Sequence, residues 1–151
     1  MAKSLTVHEI EANRDLLRSE QYLPHHQRLQ KEYKQLSEVA STEPGPLFDT
    51  GVHPVPLRDG AWRSFSASQT LADFKPAEML LLSDIYRAQE NIAQLNSNFL
   101  AQVTAPRSDR ETIEFKRDQT RSISLFLNDI LPAEQQLATE YDRALQQLAT
   151  R

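Results

Sequence analysis

Residues 81–99, LLSDIYRAQENIAQLNSNF, carry the clearest helical pattern in the chain. Apolar side chains recur there at alternating spacings of four and three, which places them on one face of an α-helix. That face is formed by Leu81, Ile85, Ala88, Ile92, Leu95 and Phe99, and Leu82 and Tyr86 widen it. Pro76 suits the first turn of such a helix, and Pro106 ends it. The pattern predicts a long helix that buries this face against other helices.

The chain before this helix predicts further helical segments. Thr6-Val7-His8-Glu9 has the form of a capping box, which predicts a helix start near Val7. Two apolar stripes at helical spacing follow, Ile10, Asn13 and Leu17 before Pro24 and Leu29, Tyr33, Leu36 and Ala40 after it. Pro24 shifts the phase between the stripes, so we expect a kink or a short break near Leu23 and then helix to about Val39. One bent helix and two collinear helices fit this pattern equally well.

The chain after Pro106 predicts a last helical arm. Ser108-Asp109-Arg110-Glu111 has the form of a second capping box. The apolar face that follows contains Phe115, Ser122, Ile123, Phe126, Leu127 and Ile130, and it resumes after Pro132 with Leu137, Tyr141, Ala144, Leu145 and Leu148. We expect an interruption at Pro132, as a kink or as a separation into two helices.

Glycine and proline are concentrated in one segment. It holds all three glycines of the chain and half of its prolines, namely Gly45, Gly51, Gly60, Pro44, Pro46, Pro54 and Pro56. We interpret residues 42–60 as a loop with polyproline-like stretches. Loops this long in compact domains are usually functional, and this one is a candidate docking segment for a partner.

The combined pattern predicts an all-α fold. Trp62, Phe65, Leu71 and Phe74 predict one or two short helical turns after the loop, which insert aromatic side chains into a larger helical surface. Strand and hairpin signals are weak throughout. We expect one domain over residues 1–151, a bundle of three long helical arms with interruptions at Pro24 and Pro132 and a short aromatic helical insert.

The composition excludes several classes of protein. The chain of 151 residues has no cysteine, which excludes a disulfide scaffold and a thiol enzyme. Its 17 basic and 21 acidic residues give a net charge of −4, which argues against nucleic acid as a partner. The longest apolar run, residues 79–82, is far shorter than the roughly 20 residues of a membrane span, and no signal peptide is evident. We expect a soluble, cytoplasmic chain.

One local strip of basic residues raises the question of a nucleic-acid site. It contains Arg107, Arg110, Lys116, Arg117 and Arg121. Asp109, Glu111, Glu114 and Asp118 nearly neutralise the strip, so it resembles a solvated helix face. The only interleaved aromatic side chain, Phe115, fits the core better than a stacking platform.

No motif for catalysis or for metal binding is present. The chain lacks the nucleophile elbow, the phosphate loop, the dinucleotide fingerprint and the Glu-x-x-His pairs of di-iron bundles. His25 and His26 are adjacent, and neighbouring side chains on a helix point about 100° apart, so they cannot chelate one ion as an i, i+4 pair can. We interpret both as surface residues and His53 as an ordinary loop residue. No catalytic residue, cofactor or metal is predicted, although tertiary structure could assemble an enzyme site without a motif.

Four residues are candidates for an interaction site or a pocket. Asn13 lies within an apolar stripe, where a buried amide needs hydrogen-bond partners, and we interpret it as a residue that fixes helix register. Asn96 is a candidate for the residue that faces it. Trp62 follows the loop and either anchors it to the bundle or faces a groove, and we favour anchoring. Tyr86 lies on the widened apolar face of the long helix.

These residues also carry a resemblance. The motifs are Glu9-Ile10-x-x-Asn13-x-x-Leu16, the solitary Trp62 after the loop, Leu82-x-x-Ile85-Tyr86 followed by Asn96, and a closing leucine-rich helix. Together they resemble an uncharacterised prokaryotic family in which a short N-terminal membrane helix precedes a soluble all-helical domain. The chain departs from that pattern because it has no membrane helix and because Asn96 lies farther from Tyr86. The resemblance implies membrane association if an anchor precedes Met1, and it implies no catalytic residue.

Two functions therefore stand as hypotheses. The first is a non-enzymatic helical interaction or scaffold domain that binds a protein partner or associates with itself, with contact to a membrane only through an anchor outside this chain. The alternative is a small-molecule-binding bundle with a pocket near Trp62 and Tyr86, to which the hydroxyls of Tyr33, Tyr86 and Tyr141 contribute.

Overall fold

A computed structural model of the chain describes residues 1–39, 51–68 and 70–149. Ala40 and the 42–50 part of the predicted loop lie outside the described residues, as does the side chain of Leu71. The described part contains the α-helices α1 (Ala2–Arg18), α2 (Leu23–Glu38), α3 (Gly60–Ala67), α4 (Pro76–Thr104) and α5 (Ile113–Ala149), and a 3₁₀-helix (Thr70–Asp73) between α3 and α4. No β-strand occurs within these residues. The prediction of an all-α fold is confirmed.

The predicted start of α1 is wrong by more than a turn. The helix begins at Ala2, and Thr6 lies inside it, where its Oγ1 donates to the carbonyl oxygen of Ala2 (3.1 Å) instead of capping an amide. Both of these side chains are buried, so packing stabilises the additional turn. Glu9, the other half of the expected capping box, contacts a different helix. Neither residue of the apparent motif caps α1, because Thr6 bonds within the helix and Glu9 bonds to groups of other helices.

The two prolines expected to interrupt helices behave differently. At Pro24 the chain separates into two helices, because α1 ends at Arg18 and α2 begins at Leu23 with the proline in its first turn. At Pro132 the chain does not separate into two helices, because α5 runs from Ile113 to Ala149 with the proline inside it. Pro132 and Asn128, whose carbonyl loses its helical donor, both lie on the exposed side of α5. Water can satisfy that carbonyl while the opposite face stays packed.

The start of α5 also differs from the prediction. Ser108–Glu111 does not cap it; Thr112 does, because its Oγ1 accepts a hydrogen bond from the amide of Phe115 (3.2 Å). Asp109, a member of the expected box, instead accepts two hydrogen bonds from Arg107, at 2.8 and 2.6 Å. The helix therefore begins at Ile113.

Helix α5 lies at the centre of the packing, because α1, α2 and α4 all contact it. The buried side chains come from all four of these helices and include Ile10, Leu17, Leu29, Tyr33, Leu82, Ile85, Ile92, Phe99, Ile123, Leu127, Ile130, Leu137, Tyr141 and Ala144. The apolar face predicted for residues 81–99 is part of this core. None of the helices in the described part of the chain combines the length and apolar content needed to cross a lipid bilayer.

Candidate functional site

Residues 51–59, which we call the strap, have no regular secondary structure and lead from the end of the undescribed segment to α3. Val52 and Val55 are buried, whereas the two prolines of the strap are exposed. Gly51 (φ 71°) and His53 (φ 51°) both adopt left-handed backbone conformations. Because a β-carbon on Gly51 would also approach the imidazole of His53 to 3.2 Å, glycine is the residue that suits this turn.

Asn13 attaches the end of the strap to α1. Its Nδ2 donates to the carbonyl oxygen of Arg58 (2.7 Å), and its Oδ1 accepts from the amide of the same residue (2.8 Å). The partner of this buried asparagine is therefore strap backbone and not Asn96. Asn96 is buried on α4, and its Oδ1 has no hydrogen-bond partner among the described residues.

Glu9 joins α1 to both α3 and α4. Its carboxylate accepts hydrogen bonds from the amides of Ala61 (2.8 Å) and Trp62 (3.5 Å), which are two of the unpaired donors in the first turn of α3. It also accepts a hydrogen bond from the hydroxyl of Tyr86 (2.7 Å). Burial, together with this hydrogen bond to a carboxylate, raises the pKa of Tyr86 far above its ordinary value of 10, so the hydroxyl remains a donor. Glu9 thus holds α3 against α4.

This arrangement brings two of the predicted candidates together. The rings of Trp62 and Tyr86 stack in parallel, with centroids 5.0 Å apart and planes 5° apart. Trp62 is half-buried, so it both anchors α3 and faces an open groove of about 700 Å³. The groove lies between the strap, α3 and α4 and is lined by Val55, Pro56, Leu57, Asp59, Trp62, Arg63, Ser66, Ser83, Tyr86, Arg87, Gln89, Glu90, Ile92 and Ala93.

The three tyrosines considered for the pocket do not converge. Tyr33 is buried in α2 and is not among the residues that line the groove. The hydroxyl of Tyr141 lies beneath α4, where it accepts a hydrogen bond from Gln89 Nε2 (2.6 Å). Burial raises the pKa of Tyr141, although hydrogen bonds with Gln89 and Asn13 act in the opposite direction. Only Tyr86 contributes to the groove directly.

The interpretation of His25 and His26 as surface residues is wrong. Their side chains are buried, since α2 packs this face against the strap and α5. His25 Nε2 lies 2.8 Å from the carbonyl oxygen of Gly51, and its ring stacks on that of His53 at 4.9 Å. His26 contacts the carboxylate of Glu134 through Nδ1 and two strap carbonyls through Nε2. Within residues 1–39, 51–68 and 70–149, no three histidine, aspartate or glutamate side chains are grouped as a metal would require.

The basic strip near the start of α5 also differs from expectation at one position. Phe115 is half-buried outside the main core, and the guanidinium groups of Arg107 and Arg110 lie 4.8 and 5.9 Å from its ring centroid. The hydrogen bond to Asp109 raises the pKa of Arg107 and lowers that of the aspartate. Arg107 is therefore engaged by Asp109 and by the ring, as in a local cation–π cluster.

His26 and Glu134 each carry a signal in the sequence that predicts burial. His26 shares a helical face with Leu29 and Tyr33, and Glu134 lies between Ile130 and Leu137 on the buried face of α5. A titratable side chain within an apolar stripe needs a partner, which in this case is another such side chain 108 residues away. Glu9 and Arg58 gave no comparable signal, because only folding brings their partners close. Glu9 binds two amides of α3 and the hydroxyl of Tyr86, and the backbone of Arg58 binds the side chain of Asn13.

No protein family matches the chain, and neither a curated protein nor a solved structure is significantly similar to it. The geometry of the groove and its surroundings is therefore the basis on which the function is inferred.

Proposed function

We propose that the chain is a non-enzymatic helical binding domain and that the groove beside Trp62 takes a planar, uncharged small molecule. In this proposal α1 and α2 form the first of three helical arms, α4 the second and α5 the third, and α3 is the aromatic insert that builds one side of the groove. The observation that carries the proposal is the stacked pair of Trp62 and Tyr86 at the edge of the groove.

The size and lining of the groove support a small ligand. Its volume of about 700 Å³ lies within the range of roughly 300–1,000 Å³ that is common for small-molecule sites. The lining combines the aromatic rings of Trp62 and Tyr86 with strap residues Val55, Pro56 and Leu57. A flat ring system that binds among these side chains gains apolar contact.

The charges on the rim favour an uncharged ligand. Both arginines of the lining already have carboxylate partners, Arg63 with Asp59 and Arg87 with Asp84, each at 2.6 Å. The lining holds two arginines and two acidic residues, so their formal charges cancel. A phosphate or a carboxylate would compete with existing ion pairs, whereas a neutral ring would not.

The native fluorophore allows a direct test. Trp62 is the only tryptophan in the chain, so energy transfer from tryptophan to a bound dye reports this groove. We expect the neutral dye N-phenyl-1-naphthylamine to bind with saturable energy transfer. Ala93→Phe, which fills the groove from the exposed side of α4, should abolish the signal. Ala101→Phe, at an exposed position of the same helix outside the lining, should leave it unchanged. Binding that is equal in the two variants would contradict the proposal.

Self-association or a protein partner is the second candidate function. One observation favours it: large apolar side chains are exposed on the last part of α4, at Leu100 (42%), and on the first half of α5, at Ile113 (53%) and Leu125 (55%). Sedimentation velocity over a range of concentrations tests this candidate. We expect a dimer that Leu125→Lys weakens, and a strictly monomeric species at high concentration would exclude self-association through this surface.

The membrane-tethered version of this candidate has a separate test. It requires an apolar stretch of about 20 residues encoded immediately upstream of Met1. The genomic sequence at that position decides between a tethered and an untethered domain.

A further inference from the structure

A buried ion pair attaches the strap to α2 and α5. His26 faces the carbonyl oxygens of Val52 and His53 through Nε2, the second of them at 3.2 Å. Through Nδ1 it faces both carboxylate oxygens of Glu134, at 3.0 and 2.8 Å. Neither member of the pair has exposed side-chain surface. His26 thus joins the strap, α2 and α5 at one point.

When Glu134 is a carboxylate, the surroundings of His26 require its ring to carry two protons. Carbonyl oxygens and ionised carboxylate oxygens accept hydrogen bonds and cannot donate them. Each ring nitrogen must therefore donate, and only the imidazolium has an N–H group at both positions. The titratable groups around it are Glu134 from α5, His25 from its own helix and His53 from the strap. Of these, Glu134 supplies the countercharge.

The pKa of His26 agrees with this geometry. Burial lowers it, but the hydrogen bond and negative charge of Glu134 and the two strap carbonyls together raise it above the ordinary value of 6.5. When the His26 ring loses a proton, the hydrogen bond from Nδ1–H to the carboxylate is retained. It is stronger than the bonds from Nε2–H to the strap carbonyls, because it is charge-assisted. The proton is lost from Nε2, which leaves the strap carbonyls without a donor.

We propose that His26 and Glu134 form a pH-operated latch that holds the strap in acid and neutral solution and releases residues 51–53 in alkaline solution. Because the strap supplies Val55, Pro56 and Leu57 to the groove, release of residues 51–53 leaves this part of the lining attached at one end only, through Asn13 and Arg58. The effect of strap release on the groove rests on the function proposed above, whereas the latch itself does not.

A single cysteine introduced into the cysteine-free chain reports release. Val52→Cys places a thiol where the native side chain is buried, and Ser97→Cys places one at an exposed position of α4. The ratio of their alkylation rates with iodoacetamide removes the pH dependence of thiolate formation. We expect this ratio to be constant below pH 6.5 and then to rise by up to tenfold per pH unit until it levels off at the pKa of latched His26.

Glu134→Gln tests whether the ion pair causes the rise of the alkylation ratio with pH. Removal of the countercharge lowers the pKa of His26, so the ratio should become nearly independent of pH above 6.5, whereas Glu140→Gln on the same helix should preserve the wild-type profile. If Glu134→Gln does not fold, a nuclear magnetic resonance titration of the His26 ring in the unaltered chain replaces it. Two results would overturn the latch. One is a ratio of alkylation rates that is independent of pH in the Val52→Cys and Ser97→Cys variants with Glu134 unchanged, and the other is a His26 pKa at or below 6.5.

Dye binding over the same pH range separates the latch from the groove. A fall in affinity for N-phenyl-1-naphthylamine that follows strap release supports the coupling, and a constant affinity overturns the coupling. Absence of dye binding at every pH overturns the proposed function instead, while the thiol profile still decides whether the latch exists. Circular dichroism at each pH establishes that the helices remain folded throughout.

Discussion

Asn13 and Arg58 are joined by two hydrogen bonds of opposite direction, from Asn13 Nδ2 to the Arg58 carbonyl oxygen and from the Arg58 amide to Asn13 Oδ1. A primary amide is the side chain that can satisfy one backbone donor and one backbone acceptor at the same position. The pair fixes the end of the strap to α1, at the point where the chain enters α3. The groove therefore has one firmly attached strap end, and His26 holds the other.

Asn13→Ala should lower the free energy of unfolding by about 2 kcal/mol, because the amide and carbonyl of Arg58 both lose their partner in a partly buried place. Asn13→Asp should also destabilise the chain, since a carboxylate can accept from the amide but repels the carbonyl oxygen. Urea unfolding followed by Trp62 fluorescence measures both effects. Asn91→Ala, an exposed asparagine on α4, is the matched control, and an equal loss in that variant would contradict the role of Asn13.

Glu9→Gln should lower the free energy of unfolding by about 1 kcal/mol, because the charge that favours the amino terminus of α3 is lost while one acceptor remains. Glu9→Ala should cost about 2–3 kcal/mol, since it also leaves the hydroxyl of Tyr86 and an amide of α3 without their acceptor. The measurement is urea unfolding at low and high salt. Glu11→Gln, on the same helix and half exposed, should have little effect.

The buried pair of His26 and Glu134 should make global stability depend on pH. The pKa of His26 is raised in the folded chain, so its contribution is complete below pH 6.5 and is lost as the pH rises through the folded pKa. The loss can reach about 1.4 kcal/mol per pH unit within that window. Urea unfolding below pH 6.5 and about two pH units above it measures the loss.

Glu134→Gln is the variant that tests this pH dependence. Below pH 6.5 it should destabilise the chain by about 3 kcal/mol, because it leaves a buried imidazolium without its countercharge or forces the ring to be neutral. Its stability should then change little as the pH rises. A variant that retains the wild-type slope would show that another group is responsible.

The sequence was a good guide to helices whose apolar faces are continuous. The face over residues 81–99 is part of the core of α4, because burial of that face and helical spacing agree there. The sequence predicted helix starts poorly where a local motif competes with tertiary contacts. Thr6 and Glu9 match a capping box in spacing, yet one packs inside α1 and the other caps α3. Local spacing does not reveal which helix end a carboxylate reaches.

The sequence indicated Trp62 and Tyr86, which line the groove, as candidates, but it indicated neither their contacts nor the roles of Glu9 and Arg58. Asn13, Trp62 and Tyr86 stand out because each is unusual for its place in the sequence. Asn13 binds strap backbone 45 residues away, and the stacking of the two aromatic rings depends on the position that α3 takes. Such contacts follow from the path of the strap, which has no periodic pattern to indicate it.

Pro132→Ala should stabilise the chain. The proline lies inside α5 and is exposed, so alanine restores the hydrogen bond to the carbonyl of Asn128 and removes little packing. We expect the free energy of unfolding to rise by about 1–3 kcal/mol, because proline is the least favourable residue in a helix interior.

Pro24→Ala is the control. That proline lies in the first turn of α2, where its missing amide has no helical partner, and its replacement should change the free energy of unfolding by less than about 1 kcal/mol. Urea unfolding and the thermal midpoint measure both variants. A loss of stability in Pro132→Ala would show that the proline ring sets a bend in α5 on which the packing of α2 and α4 depends.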